Sequence, residues 1–91
     1  MKRLFASGQF KKDYKRYRNN PKKKALLKVV LDLLANERPI PKEYLPHMLK
    51  GQYKGCMECH IDDDFLLIWF DEKRNIIELV RLGTHSELFG R

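Results

Sequence analysis

Histidines and carboxylates are concentrated in two segments that are well separated along the chain. Residues 47–70, HMLKGQYKGCMECHIDDDFLLIWF, contain two of the three histidines, both cysteines and the longest apolar run. The third histidine, His85, follows in GTHSELF. Imidazole can donate or accept a proton near neutral pH, so histidines gathered beside carboxylates form a site for general acid and base catalysis. We therefore predict such a site if the two segments meet in space.

The two cysteines offer metal or redox chemistry as an alternative. The run CMECH at 56–60 matches the C-x-x-C-H pattern of covalent haem attachment, but no export signal precedes it, and in a strand the two thiols would point to opposite faces. A redox C-x-x-C pair belongs at a helix N-terminus, whereas this pair lies in a predicted strand. A zinc set of Cys56, Cys59, His47 and His60 lacks a second C-x-x-C or H-x₃-H pair. We predict reduced cysteines, one packed and one near the site, and no metal or cofactor.

Three runs with strand character must position these residues. They cover 53–60, 65–70 and 76–82, and the turns between them are short enough to make the strands sequential antiparallel neighbours. Alternation sends one set of side chains of the first run into the core, namely Met57, Cys59 and Ile61. The other set would face outward, where a site could form: Cys56, Glu58 and His60.

Before these strands, the sequence predicts a short strand over 2–6 and two helices. Ser7 can cap the first helix, and Asn20-Pro21 is typical of the start of a second helix over 21–36. Prolines mark 38–49 as an irregular connection. The prediction is an α+β domain with an N-terminal strand and a helical hairpin packed on one face of an antiparallel β-sheet.

Composition limits the possible function classes. At 91 residues the chain should form a single domain over 1–91, and its hydrophobic content of 43% excludes a mostly disordered protein. The longest apolar run has six residues, too few to cross a bilayer. The first residues contain no apolar stretch long enough for a signal peptide, so we expect no membrane association and a cytoplasmic location.

Positive charge is concentrated in the first quarter of the chain. Residues 1–24 carry a net charge of +9, whereas the remainder carries −2. This basic segment suits a phosphate backbone or an acidic protein partner. A solvated helix face that only keeps the protein soluble explains the charge equally well.

Two sets of spaced residues resemble a known family. The first runs Tyr44-x-x-His47, Leu49-x-Gly51, Tyr53-Lys54-Gly55, Glu58-x-His60 and DFLLI at 64–68; the second is Arg81-x-Gly83-Thr84-His85-x-x-Leu88-Phe89-Gly90. Together they resemble the YafQ-like branch of the RelE-type bacterial toxins, ribonucleases of type II toxin–antitoxin systems that cut messenger RNA on the ribosome. The resemblance covers most of the chain and implies a RelE-like, microbial-ribonuclease-like fold.

The resemblance also implies roles for particular residues. The implied catalytic residues are His47, His60, Asp64 and His85. The implied RNA-binding residues are Arg81 and Phe89. We predict Lys54, Phe65 and Glu58 as further RNA contacts, with both phenylalanines stacking on bases. Departures from the family pattern are Met48 for proline, Met57 for arginine, Glu58 for aspartate and Phe65 for tryptophan. None of them removes an implied catalytic group.

These groups can cut RNA without a metal. Cleavage through the 2′-hydroxyl needs a base for that proton, an acid for the departing 5′-oxygen and a cation for the phosphate. We predict His85 as the acid, Asp64 or His60 as the base, His47 as an aid to the base, and Arg81 on the phosphate. The products would carry a 2′,3′-cyclic phosphate or 3′-phosphate and a 5′-hydroxyl.

Family resemblance implies partners as well. These are a cognate antitoxin, mRNA on the ribosome, and operon DNA that the toxin–antitoxin complex represses. The basic residues of the first helix would face ribosomal RNA or the antitoxin: Lys11, Lys12, Lys15, Arg16 and Arg18. One alternative is a non-catalytic RNA- or protein-binding module, in which His85 only caps a turn and Arg81 only pairs with an acid. Another alternative is a metal-dependent hydrolase.

Overall fold

A five-stranded sheet runs through the computed structural model, which describes residues 1–90. In chain order the elements are β1 (Arg3–Ala6), α1 (Gly8–Lys15), α2 (Pro21–Ala35), a 3₁₀ turn (Lys42–Tyr44), β2 (His47–Met48), a second 3₁₀ turn (Gly51–Tyr53), β3 (Met57–Asp62), β4 (Phe65–Asp71), β5 (Ile76–Gly83) and α3 (His85–Phe89). The strands lie side by side in the order β1-β5-β4-β3-β2. The predicted α+β class is confirmed.

The centre of the sheet is antiparallel, as predicted. β3 pairs with β4, and β4 with β5, each in antiparallel register. β1 is different, because it lies beside β5 and runs parallel to it, with Arg3 opposite Ile76. The sheet as a whole is therefore mixed, because the predicted N-terminal strand joins the antiparallel strands in parallel. The parallel pairing arises because the helical hairpin crosses one face before the chain re-enters the sheet at its opposite edge.

Both helices of the hairpin begin where the capping residues predict. The Ser7 hydroxyl accepts a hydrogen bond from the Phe10 N–H at 3.0 Å, and the Asn20 amide oxygen accepts one from the Lys23 N–H at 3.1 Å. Such caps satisfy N–H groups that a helix leaves free in its first turn. Within residues 1–90, no helix has both the length and the apolarity needed to span a membrane.

Apolar residues pack on both faces of the sheet. The main core lies between the sheet and the hairpin and includes Phe10, Leu27, Val30, Cys59, Phe65, Leu67, Trp69 and Leu82. A smaller cluster lies on the opposite face, called the outer face below, where Leu66, Ile68 and Leu88 contact Leu49, Tyr53, Cys56 and Val80. The 49–56 segment and α3 therefore cover part of the face that the sequence analysis left open.

The connection before β3 differs most from the prediction. The predicted strand over 53–60 begins only at Met57, because Gly51 (φ +70°) and Gly55 (φ +91°) turn the chain where strand geometry is impossible. Within the predicted irregular connection, β2 pairs His47 with Glu58 of β3. This two-residue strand fixes His47 at the edge of the sheet.

Candidate active site

Three imidazoles lie in a row on the outer face. The ring centroids of His47 and His60 are 6.4 Å apart, and those of His60 and His85 are 5.7 Å apart. Strand pairing explains the row, because His60 lies opposite Leu66, which in turn lies opposite Gly83, just before α3. The two segments singled out in the sequence therefore meet.

Asp64 holds His85 in one orientation. Its Oδ1 accepts hydrogen bonds from Nδ1 of His85 at 2.7 Å and from the backbone N–H of His85 at 2.8 Å. These two bonds lower the pKa of Asp64 below its usual value of 3.8, so the group is a carboxylate at neutral pH. Since a carboxylate only accepts, Nδ1 carries a proton and Nε2 of His85 is the nitrogen that can react.

Glu58 lies beneath His47 rather than in solvent. Its Oε1 is 3.1 Å from Nε2 of His47, while Nδ1 of His47 is 2.8 Å from the carbonyl oxygen of Leu45. A carbonyl oxygen only accepts, so Nδ1 donates, and a further proton lies between Nε2 and the carboxyl group. We therefore assign His47 and Glu58 as a proton-sharing pair in which both ring nitrogens are engaged.

The burial of Glu58 corrects two expectations. The residue is 3% exposed, and within residues 1–90 its Oε2 has no hydrogen-bond partner. It therefore neither faces solvent nor contacts RNA directly, because the His47 ring covers its carboxyl group. An unpaired buried carboxyl oxygen is costly, and the contact of Oε1 with Nε2 of His47 is the polar contact that offsets the burial of this group.

His60 is the least constrained of the three histidines. It lies between the other two, and its ring makes no hydrogen bond to another residue in the part of the chain described, 1–90. Both of its nitrogens can therefore reach a substrate. Among the two candidate bases from the sequence, His60 has free nitrogens, whereas Asp64 already accepts two hydrogen bonds from His85.

Arg81 is held by the buried carboxylate of Asp13, which is not among the site residues predicted from the sequence. Its Nε donates to Oδ2 of Asp13 at 2.8 Å and its Nη2 donates to Oδ1 at 3.2 Å. The Tyr53 hydroxyl and the Glu87 carbonyl oxygen accept further bonds from Arg81 at 3.0 and 3.4 Å. Four of the five guanidinium donors are thus engaged. The ion pair raises the pKa of Arg81, so the guanidinium stays charged.

Asp13 has a signal in the sequence that could have identified it. It is the single acid among ten basic residues in 1–24, yet its side chain is fully buried. Burial alone raises the pKa of Asp13, but hydrogen bonds from Arg81, the Leu82 N–H and Gln9 outweigh that effect and hold the pKa below its usual value. An isolated acid in a strongly basic helix is a candidate for a buried ion pair.

The two phenylalanines predicted to bind RNA lie in different environments. Phe89 is 37% exposed, with its ring 6.1 Å from His85 and edge-on to Tyr53 at 5.8 Å. Phe65 is completely buried in the main core, where it contacts Tyr17. The expectation that Phe65 stacks on a base is therefore corrected: β4 starts with this residue on the helix side of the sheet.

The cysteines point to opposite faces, as their strand spacing predicts. Cys59 lies in the main core and Cys56 on the outer face, and both are free thiols. Burial raises the pKa of Cys59 to about 12, and burial followed by the charge of Glu78 raises that of Cys56. Within residues 1–90, no three His, Cys, Asp or Glu side chains are grouped as metal ligands would be.

A basic α+β chain with three histidines and an aspartate on an open sheet face defines an acid/base site of a kind that can act on a phosphodiester. Residues 2–90 match the model of the family described as "Bacterial toxin of type II toxin-antitoxin system, YafQ". The chain therefore belongs to the YafQ toxin family, which confirms the resemblance found in the sequence.

Similar proteins of known name or structure support this membership. The mRNA interferase toxin YafQ of Escherichia coli K12 is 36% identical over 85 residues, which cover 92% of this chain and 91% of that protein. The E. coli DinJ–YafQ complex matches at a TM-score of 0.86 with 34% identity, covering 99% of this chain and all of that one. A metal-bound toxin from Helicobacter pylori matches at 0.86 with 41% identity, covering 98% of this chain and all of that one.

Proposed function

We propose that this chain is an mRNA endoribonuclease toxin that cleaves RNA through the 2′-hydroxyl, with His60 as general base and His85 as general acid. The observation that carries the proposal is the pair of rings 5.7 Å apart, one unconstrained and the other fixed by Asp64 with Nε2 available. The relative named an mRNA interferase toxin supports the choice of substrate.

The proposed reaction uses only groups of the chain and the RNA itself. A nitrogen of His60 takes the proton of the 2′-hydroxyl, whose oxygen attacks the adjacent phosphorus. The bond to the 5′-oxygen breaks, and Nε2–H of His85 protonates that oxygen. The products are a 2′,3′-cyclic phosphate, which water can open to a 3′-phosphate, and a 5′-hydroxyl. General acid and base catalysis contribute about 10²- to 10⁴-fold each.

The remaining residues hold charge and substrate. The proton shared by His47 and Glu58 leaves the pair neutral overall, and the pair orients His47 beside the base. Arg81 supplies a fixed charge and one guanidinium N–H beyond its bonds to Asp13, Tyr53 and Glu87. Phe89 stacks on a base, and Lys54, which is exposed beside Tyr53, contacts a phosphate.

The proposed setting is a cytoplasmic toxin–antitoxin system. The DinJ–YafQ complex of a relative supports a cognate antitoxin for this chain. We extend the proposal to cleavage on the ribosome, with the basic residues of the first helix on ribosomal RNA, and to repression of the operon by the toxin–antitoxin complex. Charge supports the contact with RNA, since residues 1–24 carry +9.

Mapping of mRNA ends on programmed ribosomes tests the proposal. We expect defined cuts with the purified protein, none with His85→Ala, and unchanged cuts with Ser86→Ala, the exposed neighbour that serves as the matched control. Cutting by the His85 variant would remove His85 as the acid. Absence of cutting by the unaltered protein would favour a non-catalytic binding module.

A chelator experiment tests the alternative that cleavage depends on a bound metal. A chelator of transition metals that leaves the ribosomal Mg²⁺ in place should not reduce the cleavage rate. A rate that falls and is restored by added zinc or copper would contradict the metal-independent mechanism.

A further inference from the structure

Two exposed aromatic rings lie on the outer face away from the histidines. Phe5 of β1 is 60% exposed and Phe70 of β4 is 40% exposed. Both are register partners of Glu78 on β5, the strand between them. Register partners project from the same face, so the three side chains form one row across the sheet, called the Phe5–Phe70 row. Two strand spacings put the Cα atoms of the two phenylalanines about 10 Å apart.

This row is continuous with the proposed active site. The Phe70 ring lies 3.8 Å from where a side chain at Gly55 would begin. Gly55 belongs to the segment that carries Tyr53, and the Tyr53 ring is in edge contact with Phe89 at 5.8 Å. Phe89 in turn lies beside His85. An aromatic surface thus leads from the catalytic histidines across the sheet to the Phe5–Phe70 row.

The composition of the row suits single-stranded RNA. Exposed aromatic rings on a sheet face are the means by which several RNA-binding modules stack unpaired bases, and stacking of this kind tolerates any base. Arg3, two residues from Phe5 on the same face of β1, and Lys54 supply cations on two sides of the row. The Glu78 carboxylate between the rings can accept hydrogen bonds from exocyclic amino groups of bases.

We propose that the Phe5–Phe70 row is a second base-stacking site, which binds nucleotides of the mRNA outside the codon that is cut. The inference rests on the proposed ribonuclease function and extends its substrate contacts beyond Phe89. Its role is to hold the message, so it raises affinity for long RNA without taking part in the chemistry. The row lies on β1, β4 and β5, whose folding does not require exposed rings, because the main core fills the opposite face.

Fluorescence anisotropy with a labelled 12-nucleotide single-stranded RNA tests the proposal directly. All proteins carry His85→Ala so that the RNA stays intact. Since stacking on one ring is worth about 1–3 kcal/mol, the double variant Phe5→Ala/Phe70→Ala should bind the RNA at least about tenfold more weakly. The matched control is Val29→Ala, which removes an apolar side chain that is 49% exposed on α2, and should leave affinity unchanged.

A second double variant distinguishes stacking from simple apolar contact. Phe5→Leu/Phe70→Leu keeps a large apolar side chain but removes the aromatic faces, so RNA affinity should fall nearly as far as with alanine. Affinity retained by the leucine variant, equal binding by all variants, or no RNA binding by the parent would overturn the proposal. Loss of self-association or of antitoxin binding, with RNA affinity unchanged, would assign the row to protein docking and overturn it as well.

Cleavage assays on ribosomes distinguish contact of the row with mRNA from contact with ribosomal RNA. They also distinguish failure of this proposal from failure of the catalytic proposal. With an active His85, the alanine double variant should cut a long message more slowly than the parent at limiting protein. Messages trimmed to the cut codon should be cut equally by both. A defect that persists on trimmed messages would assign the row to ribosomal RNA and contradict the proposal. The catalytic proposal is judged separately, by the cuts that the parent makes on either message.

Discussion

Oδ1 of Asp64 accepts two hydrogen bonds from a single residue, His85, one from the backbone N–H and one from Nδ1 of the ring. The first bond holds the turn between β3 and β4 against the start of α3. The second fixes which ring nitrogen is free. Oδ1 of Asp64 is committed to these two bonds, so the proposed mechanism gives Asp64 the role of positioning His85 and gives the role of base to His60.

Replacement of Asp64 by asparagine tests this positioning role. Asparagine tolerates the left-handed backbone of this residue (φ +45°), so the fold should be kept. We expect single-turnover cleavage to slow about 10- to 100-fold, because the neutral amide stabilises the imidazolium of His85 less and shifts the alkaline limb of the pH profile, where the acid loses its proton, to lower pH. Asp63→Asn, at the exposed neighbouring residue, is the control. An unshifted profile would contradict the assignment.

The pair formed by His47 and Glu58 makes a spectroscopic prediction. In Glu58→Gln the amide can donate to Nε2 of His47 but cannot share a proton with it. We expect ¹⁵N NMR to show Nε2 of His47 sharing a proton in the parent and unprotonated in the variant, with Nδ1 protonated in both. Cleavage should slow about tenfold or more, within the range of a proton-transfer aid. His47 spectra that do not differ between the two proteins would refute the pair.

The buried pair of Asp13 and Arg81 should dominate the stability of the site. Removal of one partner of a buried ion pair typically costs about 3–5 kcal/mol, so Asp13→Asn should lower the free energy of unfolding by about 3 kcal/mol in urea titrations. Asp32→Asn, which affects an exposed ion pair with Lys28, should cost less than about 0.5 kcal/mol. A loss of stability in Asp13→Asn as small as that in Asp32→Asn would contradict this prediction.

Stability should also depend on pH through Asp13. Its pKa is lower in the folded protein than the usual 3.8, so the ionised carboxylate stabilises the fold above about pH 4. That contribution is lost as the pH falls below 3.8 and through the lower folded-state value. The loss should be visible as a steeper fall of Tm with acid in the parent than in Asp13→Asn.

Close packing at Gly83 predicts a third stability effect. A side chain there would overlap Oε1 of Glu87, the atom that accepts hydrogen bonds from the Thr84 N–H and the Tyr17 hydroxyl. Gly83→Ala should therefore destabilise the protein by about 1–3 kcal/mol and loosen α3, measured by urea unfolding and by amide exchange. Gly8→Ala, where the added methyl meets no atom within 4 Å, is the control and should be neutral or slightly stabilising.

Local patterns in the sequence predict the local parts of this fold. Ser7 and Asn20 mark the helix starts through hydrogen bonds within three residues, and alternation along β3 places Cys59 in the core. The errors come from long-range contacts. Nothing near Arg81 in the sequence indicates Asp13, which is 68 residues away, and nothing near Glu58 shows that His47 covers it.

The histidine row itself follows from the spacing of the motifs only once strand order is known. The segments that carry His60 and His85 meet because β3, β4 and β5 are consecutive neighbours, and short turns predict that order. Phe65 was misplaced because an aromatic residue at the start of a strand can face either side. A shift in strand register between His60 and Asp62 changes the alternation immediately before this residue.

The engagement of Arg81 by Asp13, Tyr53 and Glu87 leaves one guanidinium N–H for a bound phosphodiester. In the proposed mechanism, the phosphate therefore also meets positive charge from the protonated imidazole of His85 and from Lys54. A guanidinium keeps its charge throughout the physiological pH range, whereas an imidazole gains or loses it within that range. In that mechanism, protonation favours the acid and disables the base, so the two imidazole roles place opposite demands on the acidity of the surroundings.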